Sequence, residues 1–129
     1  MSGPSGIVLR HTRSEIVRRF LAAWQAEDRP AFEALMAHDF IFTSPYDDAL
    51  DKAGFFDRCW PNNGYIREHV FEQVIEEGEE AIVRYKAVTR DGKEFRNVEW
   101  LVFAGERVRS VNVYFGASYM DGAFVRQGC

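Results

Sequence analysis

Apolar residues recur with helical spacing over the first quarter of the chain. Ile16, Val17, Phe20, Leu21, Ala23 and Trp24 fall on one side of a helix over Thr12–Ala26, with Arg13, Arg18, Arg19 and Gln25 opposite. Thr12 or Ser14 can cap it. Asp28 ahead of Pro30 restarts a shorter helix, since proline suits a first turn whose N–H groups have no partner; Phe32, Leu35 and Met36 are its apolar set. His38 then reads as a helix C-terminal residue, favoured by the helix dipole. The period changes to two at Phe40–Thr43, a strand stopped at Ser44-Pro45, with Phe40, Phe42 and Ser44 on one face. A polar loop through Tyr46, Asp47 and Asp48 leads to a third helix over Asp51–Cys59, ended by Trp60-Pro61-Asn62-Asn63-Gly64.

Everything after Tyr65 reads as a meander of strands. The spacing predicts Ile66–Ile75, Ala81–Thr89, Glu94–Phe103 and Arg107–Phe115, the last ending at Gly116. Turns fall at Glu77-Gly78-Glu79, at the hairpin signal Arg90-Asp91-Gly92-Lys93, and at Ala104-Gly105-Glu106. Val83, Tyr85 and Ala87 alternate with Arg84 and Lys86, giving that strand one dry and one wet face. Helices ahead of antiparallel strands predict an α+β fold: a strongly curved, mostly antiparallel sheet wrapped over three N-terminal helices, a shape that encloses a pocket. The expected organisation is a flexible arm over 1–12, one pocket domain over 13–119, and a tail over 120–129.

Composition narrows the function. The 129 residues are 47% hydrophobic and include eleven Phe, five Tyr and three Trp, enough for one core and for an apolar binding wall. A net charge of −4 argues against a nucleic-acid partner, whose phosphates call for Lys and Arg. No run approaches the roughly 18 apolar residues of a membrane span, and the start, Met1-Ser2-Gly3-Pro4-Ser5-Gly6, lacks the apolar core of a signal peptide, so a cytoplasmic protein is expected. Cys59 and Cys129 make no disulfide framework; with His11, His38 and His69 isolated, no metal-ligand spacing exists and no metal is expected.

Several side chains could carry chemistry. Glu99 sits among Val98, Trp100, Leu101 and Phe103 and shares a strand face with Asn97, Leu101 and Phe103. On an apolar face a carboxyl is kept neutral or paired; the other reading has it in solvent or against Arg84 or Arg109. Asp47 and Asp48 are candidate bases near the pocket mouth, or ordinary loop residues. His69 shares a face with Phe71 and Gln73, as a surface or interface residue or as a catalytic one. Trp24, Tyr46, Trp60, Tyr85 and Tyr114 are candidate cavity walls with Phe20, Phe42 and Ser44, while core and interface packing compete for each. Asn112, on a face with Ser110 and Tyr114, could offer its amide to a ligand or to Glu99. Cys59 reads as a small buried apolar group.

Four stretches, Ile16–Asp28, Phe42-Thr43-Ser44-Pro45, Arg90-Asp91-Gly92-Lys93 and Val111–Gly116, together resemble the nuclear transport factor 2-like superfamily, closest to its SnoaL-like and ketosteroid isomerase-like branch. The resemblance covers about Ser14 to Gly116. It implies a cone-shaped α+β fold, a deep apolar pocket between sheet and helices, and a homodimer formed through the sheet. Ketosteroid isomerases use a carboxylate base, a tyrosine donor and a protonated acid. Carried over, these positions fall on Ser44, Phe20 and Glu99. A hydroxyl at Ser44 cannot abstract a carbon-bound proton unaided and Phe20 has no donor, so only the third group is retained. The leading expectation is a cofactor-independent isomerase, cyclase or dehydratase acting on a small apolar substrate by acid–base chemistry at Glu99, helped by Asp47 or Asp48. The alternatives are a non-catalytic lipophile binder or dimerisation module, and a protein-binding transport factor like the superfamily's namesake.

Overall fold

The computed structural model describes residues 11–126; the arm expected over 1–12 lies outside them up to residue 10, and Thr12 caps the first helix. Helix α1 spans Arg13–Gln25, closed at its start by a capping box in which Thr12 and Glu15 satisfy each other's backbone N–H groups. Helix α2 is Arg29–Ala34, capped by Asp28, and α3 is Lys52–Arg58, capped by Asp51. The strands are β1 Met36–Thr43, β2 Leu50–Asp51, β3 Ile66–Glu77, β4 Glu80–Thr89, β5 Glu94–Ala104, β6 Arg107–Met120 and β7 Ala123–Val125. A 3-10 turn, Trp60–Tyr65, joins α3 to β3. One sheet runs in the order β2-β1-β6-β5-β4-β3, with β7 also on β6; β1 and β6 are parallel and every other pair is antiparallel. The α+β architecture read from the periodicities is therefore the one adopted. No helix among the described residues is long and apolar enough to cross a membrane.

The core lies between the three helices and the inner face of the sheet. Phe20, Phe32, Phe40 and Phe55 are almost wholly buried, and Phe32 stacks on Phe20 at 4.0 Å between ring centroids. Arg13, placed by the helical pattern on the polar side, is buried instead. Its guanidinium donates to the Gly105 carbonyl and lies 4.9 Å from the Phe103 ring, pinning the start of α1 to the β5–β6 turn.

Three boundaries differ from the sequence reading, each for a tertiary reason. The second helix stops at Leu35, whose carbonyl accepts from the Val108 N–H at 2.7 Å, and Met36 pairs with Val108 across the parallel β1–β6 ladder. Met36 and His38 are thus strand residues, not the end of a helix. β3 carries a bulge between Phe71 and Gln73, so Gln73 faces solvent and Val74 takes the inner position. β6 does not end at Gly116 but runs to Met120 and turns into β7, which takes the edge of β6 that β1 leaves free; part of the segment expected as a tail belongs to the sheet.

Gly116 sits opposite the irregularity between Phe95 and Asn97, where a Cβ would lie 2.5 Å from the Arg96 carbonyl oxygen. The glycine marks a close backbone approach. Gly116→Ala is expected to destabilise by about 1–3 kcal/mol through forced backbone movement, read as a lower urea midpoint; an unchanged midpoint would show that the strands give way freely.

Candidate functional site

The inner face of the sheet and the apolar sides of α1 and α3 do not fill the space between them. A cavity of about 460 Å³ remains, within the size range of small-molecule sites. Its walls are mostly aromatic, with Phe20 and Trp24 from α1, Phe42 from β1, Phe55 from α3 and Phe115 from β6. Ring-on-ring packing of Trp24 and Phe55 at 5.7 Å and of Phe42 and Phe55 at 5.0 Å fixes that wall.

One polar cluster interrupts it. Alternation along β4 and β5 turns Tyr85, Asn97 and Glu99 inward, and the register sets Tyr85 opposite Asn97 and Val83 opposite Glu99. All three are buried, Glu99 to 7% exposure, and all three line the cavity. The Tyr85 hydroxyl donates to Glu99 Oε2 at 2.5 Å and accepts from Asn97 Nδ2 at 3.2 Å. This chain of bonds leaves two oxygens without a partner among the described residues, Glu99 Oε1 and the buried Asn97 Oδ1. Burial pushes the Glu99 carboxyl up to about 7, although the Tyr85 hydroxyl pulls the other way. Burial, and next the negative charge of Glu99, hold the Tyr85 phenol well above its ordinary value. At neutral pH the pair therefore offers a carboxyl divided between its acid and its anion, beside a tyrosine that keeps its proton.

His69 forms another part of the wall. Its ring stands edge-on to Tyr85 at 5.0 Å and its Nδ1 lies 2.8 Å from Gln25 Oε1. Burial lowers its pKa to about 4, so the imidazole is neutral at ordinary pH.

Of the residues singled out in the sequence, Phe20, Trp24, Phe42, Ser44, Tyr46, Tyr85, Asn97 and Glu99 line the cavity together, and Asp47 lies at its rim. Asp47 is occupied there: Arg58 holds it at 2.8 Å and the Cys59 thiol approaches its other oxygen at 3.8 Å. Asp48 is exposed and outside the lining. Trp60 stands behind the wall, packed on Trp24 and Phe32. Asn112 and Tyr114 face the other way: Asn112 is registered against the exposed Trp100 and Thr43, and Tyr114 is 58% exposed. Neither reaches Glu99, and the arginines expected beside Glu99 are taken elsewhere, Arg84 by Glu72 and Arg109 by Asp39. Cys59 does line the cavity, with its thiol pushed up to about 12 by burial and then by Asp47, which keeps it protonated.

His69 and Gln25 are what the sequence reading passed over as a pair. His69 shares a face with Phe71, a signal that it looks inward; Gln25 lies on the far side of α1's apolar stripe, and nothing in the spacing brings it to β3. No group of three or more His, Cys, Asp or Glu side chains among the described residues could hold a metal ion.

Comparison with known proteins gives the same architecture. The SnoaL-like domain family matches residues 17–111. A search of curated proteins finds no match. Among solved structures, an NTF2-like protein of unknown function from Cytophaga hutchinsonii is 20% identical, with a TM-score of 0.67 over 84% of this chain and 94% of its own. IdmH, a proposed polyketide cyclase from Streptomyces antibioticus, is 14% identical with a TM-score of 0.72, covering 81% of this chain and 92% of its own. AclR, a proposed hydroxylase from Streptomyces galilaeus, is 15% identical with a TM-score of 0.63, covering 85% and 80%. At these identities the likeness establishes the fold.

Proposed function

This chain belongs to the SnoaL-like domain family, and on that premise we propose that it transforms a small apolar molecule by cofactor-independent acid–base chemistry, as an isomerase, cyclase or dehydratase. The observation that carries this reading is Glu99: a buried carboxyl at the wall of an aromatic cavity, bonded through one oxygen to Tyr85 and free at the other. Such a group spends energy of folding that a merely structural wall would not require. Because Oε2 accepts from Tyr85, the proton of the neutral acid sits on Oε1, where it can be given to a substrate oxygen that gains negative charge. Asn97 Oδ1 asks for a hydrogen-bond donor, so the favoured ligand joins a carbonyl and a hydroxyl to an aromatic or alicyclic body. One of the similar folds is a proposed polyketide cyclase, and polyketides combine those groups.

The test is hydrogen–deuterium exchange into enolisable apolar ketones in heavy water, followed by NMR. Glu99→Gln keeps the shape and removes the transferable proton; the exchange rate is expected to fall by about 10²–10⁴-fold. An undiminished rate in that variant removes Glu99 from the chemistry.

The alternative, a lipophile carrier, draws on the same cavity and on the want of a carboxylate at Ser44. A ligand that co-purifies in native mass spectra while wild type exchanges no substrate protons would favour it. On the outer face of the sheet, Ile41, Trp100 and Tyr114 stand exposed, and we propose that two copies associate through it. Sedimentation equilibrium of Trp100→Glu against wild type checks this, with a monomeric wild type at micromolar concentration as the contrary result.

A further inference from the structure

The acid of the cavity has a candidate and the base does not: Ser44 is a hydroxyl, Asp47 is held by Arg58, and Asp48 lies outside the wall. Two side chains from distant parts of the chain supply one. The Gln25 amide is oriented by its Nε2, which donates to the Arg67 carbonyl at 2.8 Å. That leaves Oε1, a pure acceptor, against His69 Nδ1 at 2.8 Å, so Nδ1 must carry the ring's hydrogen. Nε2 is then a bare lone pair, and among the described residues nothing bonds to it. Gln25 lines a smaller groove on the outer side of α1 and not the main cavity, whereas His69 borders both. The nitrogen held by Gln25 therefore turns away from the main cavity, and the free one is left on the side where Tyr85 and Glu99 stand.

We propose that His69 Nε2 is the proton acceptor of this site, with Gln25 as the positioning residue that sets its tautomer, and that the substrate is a ketone with an acidic C–H beside its carbonyl. The inference rests on the acid–base reading of Glu99. In the step, the C–H bond breaks and its proton goes to Nε2. The electron pair moves into the carbonyl, whose oxygen receives the Glu99 Oε1 proton. The enol then takes a proton back from the imidazolium at the same or a conjugated carbon, and its O–H proton returns to Glu99. Atoms and charge balance without a further reactant. Tyr85 stands between the two groups, its ring on His69 and its hydroxyl on Glu99, which spaces acid and base across one substrate.

The experiment has two readouts. Two-bond proton–nitrogen correlation spectra of the folded protein at pH 6.5 should show His69 as the neutral Nδ1–H form, and Gln25→Leu should shift it towards a mixture of both forms. A wild-type His69 protonated on Nε2 overturns the inference whatever the activity. Exchange of the α-hydrogens of 2-tetralone in heavy water is the second readout. His69→Phe, and His69→Gln as a polar control for folding, are expected to lose about 10²–10⁴-fold, with Gln25→Leu losing about tenfold through the tautomer it no longer enforces. If Glu99→Gln loses exchange while both His69 variants keep it, the base is another group and only this inference fails. If wild type binds 2-tetralone by NMR and exchanges nothing, the acid–base reading falls and takes this one with it.

Discussion

Glu99→Gln is expected to make the protein more stable above pH 7 and to change the shape of its stability profile. In the fold the carboxyl is raised from 4.5 to about 7. Between those values the native state holds a proton that the unfolded chain has lost, so stability present below pH 4.5 drains away up to pH 7 and stays lost above it. The full difference is roughly 3 kcal/mol. His69 works in the opposite sense. Its pKa falls from 6.5 to about 4 in the fold, so its contribution is present above pH 6.5 and is lost as pH falls towards 4. Over pH 4.5–6.5 the two slopes oppose, and this pair leaves the wild-type profile nearly level. The Gln variant removes one slope: its stability should climb with pH from 4 to 6.5 and then hold. His69→Phe should show the reverse, a decline from pH 4.5 to 7. Glu15, Glu72 and Asp91 are all lowered in the fold and act at or below pH 4.5, outside this window. Urea unfolding at half-unit pH steps provides the measurement. Parallel profiles for wild type and both variants would mean that neither group is perturbed.

Phe32→Ala should be the most damaging single truncation. Phe32 is 2% exposed and stands between Phe20 at 4.0 Å, Phe55 at 5.7 Å and Trp60 at 5.1 Å. Removing its ring takes away transfer energy and leaves a hole beside a cavity that already exists, so the neighbours have little to collapse onto. The expected loss is about 3–5 kcal/mol, much of the 5–15 kcal/mol of a typical domain. Phe32→Leu should cost well under half of that. A loss below 1 kcal/mol for the alanine variant would indicate that Trp24 and Phe55 close the gap.

What was legible in the sequence follows from range. Helix caps such as Thr12-Glu15 and Asp28-Pro30, the two-residue alternation of β4, and the inward face of Asn97 and Glu99 are local, and each appears as the residues indicate. The end of α2 was not, because Leu35 and Met36 yield to a ladder with Val108, more than seventy residues away. Gly116 reads as a stop until the Arg96 carbonyl lies against it. In the site, the spacing brought out the acid but not its partner: Tyr85 could be seen only as a wall, and Asn112 was placed inward where the register turns it out. Gln25 and His69 meet across 44 residues through two polar side chains that carry no periodic signal.

The parallel seam between β1 and β6 also bears on how the chain acquires its shape. β1, with Phe40 and Phe42, leaves the ribosome among the first strands, yet its neighbour β6 begins at Arg107 and emerges near the end of synthesis. Until then an aromatic strand has one unclosed edge, and β2 can cover only its far end at Ile41 and Phe42. Contacts this remote are slow to form and leave sticky intermediates exposed meanwhile. The nascent protein is a natural client for a chaperone, and C-terminal truncations that remove β6 should aggregate rather than yield a smaller folded unit.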